Sequence, residues 1–505
     1  MKLMNKDEFI AYELKFYFMK NKLKEGEKLP SERDLAEQFG VQRATVRSAY
    51  KLLEDEGIIE CRERSGNYIA HRRMISNLDR IRSFSEKLEK MGAQTRSRLL
   101  AFERVEVDKE LNKSIKLPLG TPLFKITRIR MVVEEDRAVP ITIEYSYIPE
   151  SKAPKLMRFD LEDNSLFDIL IQEYHHIPKK QELTVGIVYA DENEAKALNV
   201  DKLTALVKKE GITYDEKGEV MEYLQSVINK EWVAFEKEDP VMVIKKMDGD
   251  EKLSKRWRRC SMDYRMPLYI QLQDSIIKKI DEKKYLPGEA IPSERKMAEA
   301  YGVNRMTVKR AISKLVEEGY LVCKPGSGTY VAQRDKKKID LDNSNEAGNT
   351  GITATLRKGG MEVKNRLLGT GEITGSKYLG YKLGISDDEM IYGIYRVRSE
   401  GDIPFAVEYT YVPKKYFDDL DEFDFAKVSL YDYMEAKGHM PCHFGQKLVI
   451  CEANERLAEL LQVDRGTAIY KINYQGADAD YNIVEFTMSY LNPAYTKFRF
   501  DVEVS

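Results

Sequence analysis

Residues 26–70 read GEKLPSERDLAEQFGVQRATVRSAYKLLEDEGIIECRERSGNYIA, and residues 288–332 read GEAIPSERKMAEAYGVNRMTVKRAISKLVEEGYLVCKPGSGTYVA. The two blocks align without a gap: 293 − 31, 305 − 43 and 328 − 66 all equal 262. Self-similarity at a fixed offset constrains architecture more than any local pattern. The flanking sequence repeats more loosely. Arg128-Ile-Arg130 matches Arg396-Val-Arg398, EYSYIP from Glu144 matches EYTYVP from Glu408, and Phe235 matches Phe498. Offsets that drift by a few residues mark loop insertions in a common fold. The order is therefore A–B–A′–B′, with residues 5–73 (A), 78–236 (B), 266–334 (A′) and 350–505 (B′). A charged linker occupies 237–265, and a connector near 334–350 reads as flexible.

Charge must be read per domain. The whole chain carries 82 Lys+Arg and 84 Asp+Glu, a net of −2, which argues against a nucleic-acid partner only if the charges are evenly spread. They are not: residues 267–338 hold 15 basic and 9 acidic side chains, whereas residues 5–73 hold 14 and 13. A′ is the more basic copy. The early apolar stretch is broken by Glu13 and Lys15, so neither a membrane span nor a secretory signal is expected. Five cysteines without a CxxC pair fit reduced thiols and a cytoplasmic protein.

Each A block predicts a short helix, a glycine-marked turn and a second helix. Ser31 and Ser293 are N-cap residues, and Gly302 ends the first helix of A′. The second helix buries Val46, Ala49, Tyr50 and Leu53 in A, and Val308, Ala311, Ile312 and Leu315 in A′. Its outer face carries Arg43 and Arg47, or Arg305 and Lys309, at i,i+4. Two short strands around a glycine-rich turn then form a β-hairpin wing. A solvated basic face would explain one copy; the same face with a wing, twice, points to a helix-turn-helix. A lacks the first glycine of the wing turn found in A′, so A is expected to bind DNA more weakly or to read a different half-site.

LPSERDLAEQFGVQRATVR and IPSERKMAEAYGVNRMTVK resemble the winged-helix signature of GntR-type bacterial transcription regulators. The resemblance implies that Arg33, Gln42, Arg43, Thr45, Arg47 and Gly66 in A contact phosphates or bases. In A′ it implies the same of Arg295, Asn304, Arg305, Thr307 and Lys309, with Ser327, Gly328 and Thr329 at the wing. Arginine reads guanine bidentately, and Gln42 and Asn304 suit adenine.

B and B′ alternate strands (123–133, 391–398) with helices (166–172, 430–436), an α+β pattern. They resemble the UTRA ligand-binding domain, a chorismate-lyase-like fold, of the HutC branch of GntR-type regulators; FKITRIRM, TIEYSYIP and SLFDIL carry this in B, and YGIYRVRS, AVEYTYVP and SLYDYM in B′. Arg128 and Arg130 stand i,i+2 on a strand, so both guanidiniums leave one face, where they repel unless an anion lies between them. The bland alternative is that Arg128–Glu144 and Arg396–Glu408 are salt-bridged strand neighbours. The resemblance implies a phosphate held by Ser83, Ser85, Arg128 and Arg130, with Glu144, Ser165 and Glu222 receiving hydroxyls. In B′ the same roles fall to Thr353, Thr355, Arg396, Arg398, Glu408, Ser429, Tyr431 and Glu485. Phe167 in B stands where B′ has Tyr431, so the two pockets are expected to differ.

Other motifs are weaker. His439, Cys442, His443 and Cys451 fit no common zinc spacing; His175-His176 reads as a loop pair; the Lys-Arg-Trp-Arg-Arg run at 255–259 reads as solvated linker. No P-loop, nucleophile elbow or HExxH motif occurs, and no cofactor, metal or catalysis is expected. A winged head fused to an aminotransferase-like enzyme would carry one head, which the second block contradicts. The expectation is a DNA-binding repressor that answers a small anion such as a sugar phosphate. Its partners are a double-stranded operator and, by an intramolecular pseudo-dimer or a homodimer, a second head. The rival is a constitutive architectural protein whose B domains only dimerise.

Overall fold

The computed structural model describes residues 4–62, 65–70, 73–77, 81, 94–134, 137–162, 164–237, 272, 276, 279–280, 285, 288–301, 304–317, 320–324, 327–332, 339–342 and 363–503. They fall into two compact units, one holding A, B and B′ and the other holding A′.

A is three helices and a hairpin: α1 (Lys6–Lys20), α2 (Glu32–Phe39), α3 (Arg43–Asp55), β1 (Ile59–Arg62) and β2 (Gly66–Ile69). Ser31 caps α2 by accepting from the Asp34 N–H, and Gly40 ends it in the left-handed region at φ 61°. The stripe Val46, Ala49, Tyr50 and Leu53 is buried against Ile10, Leu14 and Leu35. Gly66 opens β2 at φ 114°, where a side chain would strain the wing.

The second unit repeats the design with α7 (Glu294–Tyr301), α8 (Arg305–Glu317), β11 (Leu321–Lys324) and β12 (Gly328–Val331). Val308, Ala311, Ile312 and Leu315 are buried with Leu272, Ile276 and Met297. Gly328 repeats the wing conformation at φ 131°. The expected helix end at Gly302 lies outside the described residues.

B contributes β3 (Met74–Asn77), β4 (Gln94–Glu106), α4 (Lys109–Ile115), β5 (Pro122–Glu134), β6 (Arg137–Pro149), α5 (Leu166–Gln172), β7 (Pro178–Tyr189), α6 (Glu192–Leu198), β8 (Ala205–Asp215), β9 (Val220–Asn229) and β10 (Val233–Lys237). After β13 (Ile339–Asp342), B′ contributes β14 (Val363–Ile373), α9 (Lys377–Leu383), β15 (Ile391–Glu400), β16 (Ile403–Pro413), α10 (Leu430–Ala436), β17 (His443–Glu452), α11 (Glu455–Leu461), β18 (Ala468–Ala477), β19 (Ile483–Leu491) and β20 (Thr496–Glu503). The connector expected to be flexible thus contains a strand, because β13 finds a free sheet edge beside β20.

The two eight-stranded sheets, β13-β20-β7-β8-β9-β6-β5-β4 and β14-β15-β16-β19-β18-β17-β10-β3, are completed by exchange. β10, the last strand of B, pairs with β17 of B′, placing Phe235 opposite Leu448. β20, the last strand of B′, pairs with β7 of B, placing Phe498 opposite Val185. The registers are equivalent, since 498 − 235 and 448 − 185 are both 263. Each sheet closes an edge that would otherwise be open, and both phenylalanines are fully buried.

A is seated on B′. Tyr12 of α1 lies in the B′ core with Tyr378, Tyr395 and Tyr411, its hydroxyl 3.1 Å from that of Tyr411. Glu56, at the end of α3, accepts Lys15 at 2.7 Å and Lys471 of β18 at 2.8 Å. Arg456 donates to Glu8 at 2.8 Å, and the Lys377 N–H at the start of α9 donates to Glu13 at 2.9 Å. No helix among the described residues is long and apolar enough to cross a membrane.

Candidate DNA-contact and anion-binding sites

In both heads the buried stripe fixes which side of the second helix remains outside. Gln42, Arg43 and Arg47 are exposed in A, and Asn304, Arg305 and Lys309 in A′; Arg33 and Arg295 are exposed on the preceding helix. Thr45 and Thr307 are half-buried beside them. The wing tips present Gly66 and Gly328, with Ser327 exposed and Thr329 half-buried, and the Ser65–Tyr68 hydroxyl pair is repeated as Ser327–Tyr330, both at 2.6 Å. The heads differ in which cation is held back. Glu32 takes Arg47 through two hydrogen bonds of 2.9 and 3.0 Å, whereas Glu294, its counterpart, takes Arg305 at 3.1 Å. Such exposed pairs cost little to open.

The anion-site candidates stand on one row of each sheet. Residues paired across neighbouring strands point to the same face. In B the row runs Phe498, Val185, Lys209, Ser226, Glu144, Arg128 and Leu99. Arg130 and Glu222 share the face by the two-residue period. Glu144 receives Arg128 at 3.5 Å and Arg130 at 3.3 Å, and Arg130 also donates to Ser97 at 2.7 Å. The place between the guanidiniums, which the sequence alone leaves to an external anion, is therefore partly taken by Glu144. It is not enough: Nε and Nη1 of Arg128 are buried without a hydrogen-bond partner, while the Ser146 hydroxyl and the Glu222 carboxyl have each other. Burial, with the Glu144 charge beside it, pushes the Glu222 carboxyl up to about 6, and burial draws the Arg130 guanidinium down to about 10, still charged at neutral pH.

In B′ the equivalent row is Phe235, Leu448, Ile472, Ser489, Glu408, Arg396 and Leu367. Glu408 receives Arg396 at 3.3 Å and Arg398 at 2.7 Å, a tighter pairing than in B. The Tyr431 hydroxyl donates to Glu485 at 2.9 Å. Burial pushes Glu485 up to about 7, against that hydrogen bond.

Ser165 and Ser429 cap α5 and α10, their hydroxyls accepting from the Asp168 and Asp432 N–H groups. They are half-buried at the helix starts. Ser83, Ser85, Thr353 and Thr355 lie outside the described residues, as does the 255–259 run. His439 holds Asp478 at 2.7 Å rather than joining Cys442 or Cys451. Sequence reasoning missed Lys209, Ser226 and Tyr474, which only cross-strand register brings onto the same face as the arginines. One signal was available: Lys209 interrupts the inward positions of β8, which otherwise read Val207, Gly211 and Thr213.

Comparison with known proteins matches residues 6–69 and 268–331 to the bacterial regulatory proteins of the gntR family. Residues 90–248 and 358–497 match the UTRA domain. The HTH-type transcriptional repressor NagR of Bacillus subtilis (strain 168) is 32% identical over 208 residues, 41% of this chain and 83% of NagR. The mannosyl-D-glycerate transport/metabolism system repressor MngR of Escherichia coli (strain K12) is 25% identical, over 45% of this chain and 92% of MngR. Among solved structures, PhnF from Mycobacterium smegmatis aligns at 24% identity with a TM-score of 0.35, covering 45% of this chain and 98% of that one.

Proposed function

The chain belongs to the GntR family, a DNA-binding transcription regulator of HutC type with winged head and UTRA domain each present twice, and from that premise we propose a single-chain repressor controlled by a small anion. The observation that carries the effector reading is the buried face of B, where two arginines meet one carboxylate and Arg128 retains two unpartnered N–H groups. A phosphate monoester, as in a sugar phosphate, offers the oxygens those donors lack. Both named relatives are repressors, and the name of one concerns the metabolism of a sugar derivative. Arg33, Gln42, Arg43, Thr45, Arg47 and Gly66, with their counterparts in A′, are the proposed DNA contacts. A DNA-binding role puts the protein in the cytoplasm of a bacterium.

The reciprocal exchange of β10 and β20 supports an intramolecular pseudo-dimer, so that one chain supplies both heads. Unequal heads would read an asymmetric operator, with half-site centres about 34 Å apart for one helical turn. Selection of bound duplexes from a randomised library by the full chain tests this. One chain per minimal duplex, with Arg47→Ala and Lys309→Ala each relaxing a different half, is expected; two chains per minimal duplex would overturn it. A second reading, a constitutive architectural protein, draws on Glu408, which already engages both Arg396 and Arg398. Loss of DNA affinity on adding any of a panel of sugar phosphates decides for the repressor, and no effect decides for the architectural protein.

A further inference from the structure

The two pockets are copies on equivalent rows, so each difference between them can be read position by position. Lys209 in B faces Ser226, which faces Glu144, which faces Arg128. At the same place B′ has Ile472, flanked by the matching Ser489, Glu408 and Arg396. One row along, Gly211 of B pairs with Leu183 and Leu224, and its counterpart in B′ is Tyr474, paired with Gln446 and Thr487. The helix over the face supplies Phe167 in B and Tyr431 in B′, where the Tyr431 hydroxyl engages Glu485.

These substitutions act in one direction. B sets three cations, Arg128, Arg130 and Lys209, against the carboxylates Glu144 and Glu222, and leaves Gly211 without a side chain beside them. B′ sets Arg396 and Arg398 against Glu408 and Glu485. It also carries the Tyr474 ring where B has Gly211, close enough to Glu408, Glu485 and Arg398 to feel their charges. Buried donors are left over on Arg128 in B, at both Nε and Nη1, but on Arg396 in B′ at Nε alone, and Glu222 of B has only Ser146 beside it where its B′ counterpart Glu485 is held by Tyr431.

We infer that the duplication has divided the work: the anionic effector binds in B alone, with Lys209 as its third cation, and B′ is a filled, charge-balanced copy that serves the fold and the exchange of strands. This rests on the reading that the paired arginines face an anion. The ligand class is a small dianion, a phosphate group either free or carried on a sugar.

Calorimetric titration of the full chain with inorganic phosphate and, separately, with glucose 6-phosphate tests it. One site per chain is expected. Lys209→Ile installs the residue that B′ already carries on its own row, so folding should survive, and affinity should fall about ten- to a hundredfold for one lost charge-assisted contact. Gly211→Tyr closes B as Tyr474 closes B′; its Cβ would meet Glu182 O and Leu183 Cδ1 at an ordinary 3.5 Å, and binding should vanish. The wild-type stoichiometry decides first, and it needs no variant. Two sites per chain, or Lys209→Ile binding as tightly as wild type, overturns the division of labour while the anion reading stands. No binding of either probe at millimolar concentration removes both. Phosphate and glucose 6-phosphate binding equally would assign the site to the phosphate group alone.

Discussion

The seating of A on B′ depends on a buried ion triad whose removal has a calculable effect. Lys15 and Lys471 have side chains only 6% and 5% exposed, and both direct their ammoniums at Glu56, itself 19% exposed, from 2.7 and 2.8 Å. Glu56→Gln keeps the shape and deletes the charge, leaving two like charges facing each other out of water. Breaking a buried pair by removing one partner costs about 3–5 kcal/mol; the partial exposure of Glu56 argues for the lower end, about 3 kcal/mol. Cys451 borders the same cleft between A and B′ and is buried, with burial pushing its thiol up to about 12. Its alkylation rate, with the other four cysteines replaced by serine, therefore reports how often A lifts away. A loss of about 3 kcal/mol corresponds to labelling faster by on the order of a hundredfold. Replacing all three charges together, Lys15→Met, Glu56→Gln and Lys471→Met, should restore most of the protection, because no bare charge remains. Burial alone would raise the Glu56 carboxyl, but the two ammoniums hold it down to about 2, below its ordinary 4.5. A depressed acid contributes stability above its unfolded value that is lost as pH falls through the folded one. The gap between wild type and Glu56→Gln should thus close as pH falls from about 4.5 toward 2, and change again as pH rises toward about 8, where burial makes the Lys15 ammonium give up its proton. A rate increase below threefold, or a triple variant that labels as fast as Glu56→Gln, would refute the triad as the clamp.

Two further outcomes follow from the sheets. Phe498→Ala, near the end of B′, should destabilise B by about 3–5 kcal/mol, since Phe498 is fully buried opposite Val185 and against Tyr470; hydrogen exchange should show β7 amides losing protection, and unchanged β7 protection would contradict the exchange. Glu485, pushed up by burial to about 7, makes the opposite pH contribution to Glu56: the folded state holds the proton more tightly, so stability falls as pH rises from about 4.5 toward 7. Glu485→Gln should flatten that part of a urea-midpoint profile, and an identical slope in the variant would show that another group titrates there.

Much of the local structure was legible because it is governed by neighbours in sequence. The helices expected at 166–172 and 430–436 are found at Leu166–Gln172 and Leu430–Ala436, and the structure shows Ser165 and Ser429, read from sequence as ligand contacts, capping them. The buried stripes of both heads follow from 3.6-residue spacing, and the paired arginines from the two-residue period of a strand. Glu144 and Glu408 were readable as partners of those arginines, although their register opposite Arg128 and Arg396 came from the ladder itself.

What sequence could not supply is whatever depends on which strand lies beside which. Nothing local in Phe235 or Phe498 says that each completes the sheet of the other copy, because an edge is satisfied equally well by any strand of the right length and polarity. Lys209 shares a row with Arg128 only across two intervening strands, and Lys15 and Lys471 meet on Glu56 from 456 residues apart, 471 − 15. That this chain is one regulator written twice is plain from its residues alone, since the 262-residue offset holds without a gap. That the copies differ was also legible there; that they interlock, and that differences such as Ile472 for Lys209 fall on one buried row, came from the fold, because burial keeps alive differences of charge that water would otherwise screen.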